Sequence, residues 1–296
     1  MIPKFKRILR LLNLVKSLGI KRLILGFFQS RSESYTKNSF QPPKSIRNRN
    51  SFVKEASERQ IQKFPDLKFL ELGPYMSPIL TKPEADYFDV LDTQSLINRS
   101  KLEGTPHYLV AEVDFVGPEA SERYIPKKYS LVVSSHVIEH QIDLLRHLQQ
   151  VSNLLVPGGL YLAMIPDLRY CFDRFQYPST IIDVLVAHNQ EQSNHSLKSF
   201  LEDRLLTTHN ITMDHWRDIS GESKIESLDA KAINIYIEEY FKTNDYLDVH
   251  GWKFTPTSFK SIVKTLERLE LTNLELMHIA ATFPGNNEFW VIFERN

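Results

Sequence analysis

The chain of 296 residues carries 36 basic and 36 acidic side chains, so its formal net charge at pH 7 is zero. Apolar residues make up 42% and charged residues 24% of the chain, which is typical of a globular protein with a buried core. The single cysteine, Cys171, excludes a disulfide framework and a cysteine metal cluster, and it indicates a reducing compartment.

The zero net charge conceals an uneven distribution along the chain. Residues 1–31 hold eight basic side chains and no acidic one, which leaves 28 basic and 36 acidic side chains for the other 265 residues. A phosphate-binding face needs clustered positive charge, so the acidic body argues against nucleic acid as a partner. We expect a cytoplasmic protein, with peripheral contact to the inner membrane face as an added possibility for the basic segment.

Residues 1–30 predict a basic amphipathic helix, because apolar side chains from Phe5 to Val15 recur at helical spacing between basic ones. No run reaches the roughly 18 uncharged residues of a membrane-spanning helix. Lys16, Lys21 and Arg22 also interrupt the apolar region that a cleaved signal peptide needs. Two interpretations stay open: docking on an anionic membrane face, and packing on the body or on a partner.

The remaining chain predicts a linker over residues 31–50 and one domain over residues 51–296, which begins with a short helix over 51–64. Five short apolar runs then predict buried strands. They are KFLEL, ADYFDVL, HYLVAEV, YSLVVS and LYLAMIP. Helical patterns lie between the strands, most clearly over residues 142–156, and such alternation predicts a parallel sheet. Ligands bind at the carboxyl ends of such strands, where Glu71, Asp89, Asp114 and His136 are expected.

The last part of the chain predicts two further features. Residues 169–245 are rich in aromatic, charged and histidine side chains and predict a helical cap inserted after the fifth strand. A helix over 257–269 follows, and LELMHIAATF and EFWVIFER then predict an antiparallel hairpin around the turn at residues 284–287.

The order of these motifs resembles that of class I S-adenosylmethionine-dependent methyltransferases over about residues 64–295, without the insertion. ELGP resembles the family's first motif, FDVLD the second, and VDF the adenine-contacting segment. The run YSLVVSSHVIEH followed by LLVPGGLYLAMIPD is the most specific part of the resemblance. It implies a doubly wound, mostly parallel seven-stranded sheet with a C-terminal antiparallel hairpin. PDLRYCFDRF and HGWKFTP are similar to a bacterial subgroup associated with surface glycans.

The resemblance implies S-adenosylmethionine as the cofactor and assigns residues to it. The cofactor-binding residues would be Glu71, Gly73, Pro74, Asp89, Asp114, Phe115, Ser134 and Ser135. A carboxylate at the end of the second strand can accept hydrogen bonds from both ribose hydroxyls. Asp89 and Asp92 compete for this role, and we favour Asp89 for its spacing from Glu71. The more ordinary role of such an aspartate is to cap the following helix.

The loop after Glu71 departs from the family pattern. The family has further glycines, whereas this chain has Pro74 and Tyr75, and a glycine allows the backbone to approach a ligand without a Cβ in the way. The loop must therefore have a different shape. The G-x-G-x-x-G fingerprint of a nicotinamide dehydrogenase is also absent from this part of the sequence.

Methyl transfer to a hydroxyl group is helped by a general base, and histidine suits this role because its ordinary pKa lies near 6.5. The candidate catalytic residues are His136, His140, Asp167 and His215, with Asp173, His209 and His250 as further bases. We predict no metal, because the spacing of His209, Asp214 and His215 matches no zinc or EF-hand pattern.

The sequence thus predicts a methyltransferase that methylates an oxygen of a saccharide or glycan precursor, including lipid-linked ones. Two alternatives stay open. One is a binding or scaffold protein that keeps the fold without the chemistry. The other is a methyltransferase that acts on small molecules of secondary metabolism.

Overall fold

The computed structural model describes residues 48–223, 230–242 and 247–296. The amphipathic helix predicted over residues 1–30, and most of the linker predicted over 31–50, lie outside the described residues. Among the described residues, no helix has the length and apolar character that crossing a bilayer requires.

Seven strands form one sheet in the order β3-β2-β1-β4-β5-β7-β6. They are β1 (Phe69–Leu72), β2 (Ala85–Asp89), β3 (Phe115–Val116), β4 (Tyr129–Ser135), β5 (Leu155–Pro166), β6 (Leu274–Ala280) and β7 (Glu288–Arg295). The first five strands are parallel, and β7 runs antiparallel to both β5 and β6. The predicted mostly parallel sheet with a terminal hairpin is confirmed.

The helix α1 (Arg49–Lys63) precedes the first strand, and the other helices of eight residues or more lie in the connections between strands. They are α2 (Thr93–Leu102), α3 (Leu144–Leu154), α4 (Ile181–Gln190), α5 (Leu197–Leu206), α7 (Ala230–Lys242) and α8 (Pro256–Arg268). A single helical turn, α6 (Thr212–Trp216), lies between α5 and α7. The helices predicted over 51–64, 142–156 and 257–269 are confirmed as α1, α3 and α8.

Apolar side chains cover both faces of the sheet, as the near-continuous apolar strands dictate. We call the side on which α1 packs the α1 face; its core includes Phe52, Tyr87, Val133 and Trp290. The opposite side, which we call the α3 face, includes Leu72, Leu148, Tyr161 and Phe259, from β1, α3, β5 and α8. Each strand alternates between these two cores, so the position of a residue within its strand fixes the face it serves.

Two details differ from the sequence prediction. The run HYLVAEV is not a strand: residues 107–109 form a 3₁₀ turn, and the third strand begins after Asp114, at Phe115. The connection from β1 to β2 also contains no helix, and Glu71 accepts hydrogen bonds from the backbone of Ile79 and Leu80 within it.

Candidate active site

The strand order reverses between β1 and β4. From β1 the chain adds β2 and β3 on one side, and it then crosses to add β4 and β5 on the other. The two connections leave in opposite directions and open a crevice at the carboxyl ends of β1 and β4, which is where parallel sheets of this kind bind ligands.

Three of the predicted residues share one face at this end of the sheet. Glu71, Asp89 and Ser135 each lie two residues beyond a side chain of the α1-face core: Phe69, Tyr87 and Val133. Because alternate residues of a strand point to the same side, their side chains also point to the α1 face.

Glu71 is buried and shapes the loop that follows it. Its carboxylate accepts hydrogen bonds from the backbone N–H groups of Ile79 and Leu80 at 2.8–3.0 Å, which closes the loop between β1 and β2. Burial raises the pKa of Glu71 to about 7, even though both N–H groups favour the ionised form. The predicted first-motif acid therefore holds its own loop, a role that the sequence did not indicate.

The two competing aspartates have different partners. Asp92 is the N-cap of α2 and accepts from the N–H of Ser95 at 2.7 Å, so its carboxylate is committed to the helix. Asp89 is buried at the end of β2 and accepts a longer hydrogen bond from the N–H of Leu91 at 3.2 Å. Burial raises the pKa of Asp89. Asp89 retains capacity to accept hydrogen bonds from a ligand, whereas Asp92 is a helix cap.

Asp114 lies further from the carboxyl edge than predicted. Its carboxylate accepts from the N–H of Tyr87 at 2.8 Å and forms an ion pair with Lys82 at 3.0 Å. Asp114 therefore lies opposite Tyr87, two residues before Asp89. The reason is that the third strand begins after Asp114, at Phe115, whereas the sequence predicted a strand that ends before Asp114. Phe115 packs against the core of the α3 face, under the ammonium group of Lys127.

The two serines at the end of β4 separate. Ser134 points to the α3 face, where its buried hydroxyl group bonds with the hydroxyl of Tyr161 at 2.8 Å, and its assignment to the cofactor stays a prediction. Ser135 points to the α1 face and accepts from Arg49 at 3.2 Å. The physical reason is the period of two along a strand, which places adjacent residues on opposite faces.

Gly73 and Pro74 begin the loop after β1. Gly73 has φ of +65°, and a Cβ built on it would lie 2.8 Å from Val137 Cγ2, just beyond β4. The Gly73 N–H donates to the carbonyl of Phe88, and Pro74 is buried. The glycine therefore allows this loop to pass close to the end of β4.

His136 follows β4 directly and has a positive φ of +55°. Its Nε2 donates to Glu288 Oε2 at 2.9 Å, and Trp290 Nε1 donates to the other oxygen of Glu288. Burial opposes protonation of His136, but its hydrogen bond to Glu288 raises its pKa overall. The side chain is 36% exposed, so its ring borders the crevice.

Asp167 and His215 do not serve as free bases. Asp167 is fully buried, and its carboxylate binds Arg169 and accepts from the hydroxyl of Thr282 at 2.6 Å. His215 uses one ring nitrogen toward Ser220 and the other toward the carbonyl of His209. Burial lowers the pKa of His215. Local contacts engage both side chains, and a catalytic role for either stays a prediction.

The structure also adds residues that the sequence analysis did not assign. Arg49 of α1 and Glu288 of β7 contact Ser135 and His136, and no spacing in the sequence connects these four positions. Glu139, which the sequence analysis did not assign, lies buried among histidines from two segments.

No protein-family model matches the chain, and no curated protein matches it either. Among solved structures, it is similar to an S-adenosylmethionine-dependent methyltransferase from Clostridium acetobutylicum ATCC 824, with 11% identity and a TM-score of 0.42 over 83% of this chain and 90% of that one. It is similar to the plantazolicin methyltransferase BpumL in complex with SAH, at 11% identity and a TM-score of 0.40 over 84% of each chain.

A further similar structure is the CurJ carbon methyltransferase, with 12% identity and a TM-score of 0.38 over 83% of this chain. The present chain spans about half of that structure, 54% of its length. At these TM-scores the likenesses carry no argument about activity. The strand order itself, with its antiparallel last strand, is the one that the resemblance to class I methyltransferases implies.

Proposed function

We propose that this protein binds S-adenosylmethionine at the carboxyl ends of β1, β2 and β4 and transfers its methyl group to an acceptor. The observation that carries the proposal is the convergence of Glu71, Asp89 and Ser135 on one face at the reversal of strand order. The motif order of the sequence supports the same cofactor.

The residues fit this cofactor in part. The close passage of Gly73 beside Val137 leaves backbone, rather than a side chain, at the edge of the crevice. Asp89 would accept hydrogen bonds from the ribose hydroxyls, because no side chain that the structure describes donates a hydrogen bond to its carboxylate. The cofactor supplies an activated methyl group, and the protein aligns the acceptor, which alone can contribute about 7–11 kcal/mol. His136 is the predicted catalytic residue that borders the crevice.

A saccharide is the acceptor that we propose. A cavity of about 230 Å³ lies between α4, α5 and the segment Gly251–Lys253. Tyr177, which is 78% exposed, stands at this cavity beside polar side chains that include Gln190 and Glu202. An aromatic ring next to hydrogen-bonding groups suits a sugar, which has both an apolar face and hydroxyl groups.

Isothermal titration with S-adenosylmethionine and with its demethylated product tests the cofactor assignment. We expect binding by the wild-type protein and at least a tenfold loss of affinity in Asp89→Ala. Asp92→Ala is the matched control: it lies in the same loop but removes only a helix cap, so affinity should be retained. Equal affinity in Asp89→Ala and wild type would overturn the site, and absence of heat with both compounds would overturn the function.

Transfer of a labelled methyl group to a panel of soluble saccharides tests the acceptor. Tyr177→Ala should raise the KM of an accepted saccharide. Tyr108→Ala is the control, since Tyr108 is equally exposed, at 79%, and does not line the cavity. Transfer to small hydroxylated molecules and to no saccharide would instead favour the small-molecule alternative.

A scaffold function is the second candidate, and one observation favours it. The carboxylates of Glu71 and Asp114, two of the three acids assigned to the cofactor, already bind the chain's own backbone. A protein that lost the chemistry would show such internal use of former ligand-binding groups. The titration described above separates this candidate from the methyltransferase.

A further inference from the structure

A second cluster of side chains lies just beyond β4. Glu139 and His140 belong to a short 3₁₀ turn, Ile138–His140, while His250 comes from the distant segment before α8. The backbone carbonyl of Glu139 accepts hydrogen bonds from the N–H groups of Gly251 and Trp252 at 2.8 and 3.1 Å. These bonds fix the two segments against each other and hold the three side chains together.

The Glu139 carboxylate is the unusual member of the cluster. Its residue is 1% exposed, and neither carboxylate oxygen accepts a hydrogen bond from any residue that the structure describes. An ionised carboxylate removed from water without a partner is strongly unfavourable, so such groups are normally paired or bind a metal. The buried carboxylate of Glu139 is therefore a candidate metal ligand.

Histidine nitrogens surround this carboxylate at distances too long for hydrogen bonds. His140 Nε2 and His250 Nε2 each lie 3.9 Å from Glu139 Oε1, and His136 Nδ1 lies 3.5 Å from it. One ligand atom from each of Glu139, His140 and His250 can be chosen so that all lie within 4.8 Å of one another. Ligands of a tetrahedral zinc ion are separated by about 3.3 Å, given bond lengths of about 2.0–2.1 Å, so the ligand atoms would approach one another by up to about 1.5 Å on binding.

The outer nitrogen of each histidine faces an aspartate. His250 Nδ1 lies 2.6 Å from Asp173 Oδ2, and His140 Nδ1 lies 3.0 Å from Asp248 Oδ1. With a proton on the Nδ1 that faces each aspartate, each Nε2 keeps a lone pair that can bind a metal ion. Carboxylates that fix the tautomer and orientation of ligand histidines are the usual outer partners at metal sites.

We propose that Glu139, His140 and His250 bind a divalent transition-metal ion, with Asp173 and Asp248 orienting the two imidazoles. Two imidazoles and one carboxylate suit zinc or iron(II), whereas magnesium and calcium prefer oxygen ligands alone. Three protein ligands leave a fourth position for water or an acceptor oxygen, on the side where His140 is partly exposed. The proposal departs from the sequence prediction that the protein holds no metal.

A second pair of neighbouring histidines, His209 and His215, has no unpartnered carboxylate described beside it. His209 and His215 stack at 4.5 Å, but their ring nitrogens are engaged by backbone groups or by Ser220. Proximity of histidines is therefore not sufficient, and the orphaned carboxylate of Glu139 distinguishes the proposed site.

Metal binding to the full-length protein after removal of bound metal with a chelator tests the proposal. We expect one Zn²⁺ per chain by titration, a higher melting temperature with Zn²⁺, and visible absorption bands when Co²⁺ is added. Glu139→Gln should lose Zn²⁺ binding at least 100-fold, and Asp173→Asn should weaken it about 10- to 100-fold. Mg²⁺ serves as the metal that should not compete.

Two features of the design keep a negative result informative. Glu139→Gln keeps the shape of the side chain and removes a buried charge, so it should fold, which circular dichroism checks. His188→Gln is the matched control, because His188 pairs with a buried aspartate, Asp143, at 2.9 Å outside the cluster. A wild-type protein that binds neither Zn²⁺ nor Co²⁺, or a Glu139→Gln protein that binds Zn²⁺ like wild type, would overturn the proposal.

Discussion

Glu71 makes the stability of the protein depend on pH. Its pKa is about 7 in the folded protein against 4.5 for an ordinary glutamate, because the carboxylate is buried. Between pH 4.5 and 7 the folded state therefore retains a proton that the unfolded state has lost. Stability contributed by this group falls as pH rises through that window, by an amount on the order of 3 kcal/mol, and is level above it.

The variant Glu71→Gln should remove this dependence, since a glutamine can still accept a hydrogen bond from the loop backbone and does not ionise. Urea unfolding at pH 5 and pH 8 measures it. We expect the wild type to lose more stability than Glu71→Gln on going to pH 8. Equal losses of unfolding free energy in the two proteins would show that burial does not raise the pKa of Glu71.

Two features of position 73 favour glycine: its positive φ angle and the close approach of Val137. A side chain at φ of +65° is strained by about 1–2 kcal/mol, and a Cβ would also lie 2.8 Å from Val137 Cγ2. We expect Gly73→Ala to lower the free energy of unfolding by about 2–4 kcal/mol, since overpacking adds to the strain. Gly104→Ala isolates the first effect, because Gly104 has φ of +68° and open space around it. Equal losses in the two variants would mean that Val137 moves aside freely.

At the scale of elements, α1 connects the core to the candidate site. Phe52 on this helix is fully buried and packs on Trp290 with ring centroids 5.2 Å apart, while Arg49 at its start contacts Ser135. Phe52→Ala should lower the free energy of unfolding by about 3–5 kcal/mol. Ile61→Ala, on the half-exposed side of the same helix, should change it by about 0.5 kcal/mol. Thermal or urea unfolding compares them, and similar losses would contradict the docking of α1 through Phe52.

The elements with strong periodicity were predictable from the sequence. The helices α3 and α8 bury the apolar positions that recur every 3.6 residues, and the terminal hairpin has alternating runs around a turn. The strand predicted for the run HYLVAEV was wrong, because an apolar composition does not guarantee burial. Tyr108 is exposed, Leu109 is half-exposed, and a 3₁₀ turn follows Pro106 where a strand was predicted.

The candidate site was only partly predictable, for a geometric reason. Spacing after successive strands places Glu71, Asp89 and Ser135 near one edge, but it does not show which face each side chain takes. Ser134, for example, lies on the face opposite to Ser135. Contacts between distant segments leave no periodic signal. The approach of His250 to Glu139, and of Glu288 to His136, arises only when the segment before α8 and strand β7 pack beside β4.

At the scale of the whole molecule, burial is graded from the central sheet outward. Strands β4, β5 and β7 are almost entirely buried, whereas α7 has no buried residue among those that the structure describes. Segments with few buried apolar contacts open with a lower free energy than the core. Amide hydrogen exchange followed by mass spectrometry should therefore be slowest in the three central strands and fast in α7.

The same measurement relates this gradient to the proposed function. A ligand that binds the folded protein stabilises it, and the added protection is greatest where the ligand holds segments that otherwise open locally. With the demethylated cofactor product present, peptides that cover the loop after β1 and the carboxyl ends of β2 and β4 should exchange more slowly. Peptides from α7 should be unchanged, and Asp89→Ala should show none of these effects. If protection from exchange were confined to α7, or spread evenly over the molecule, the ligand would not bind in the crevice at the carboxyl ends of β1 and β4.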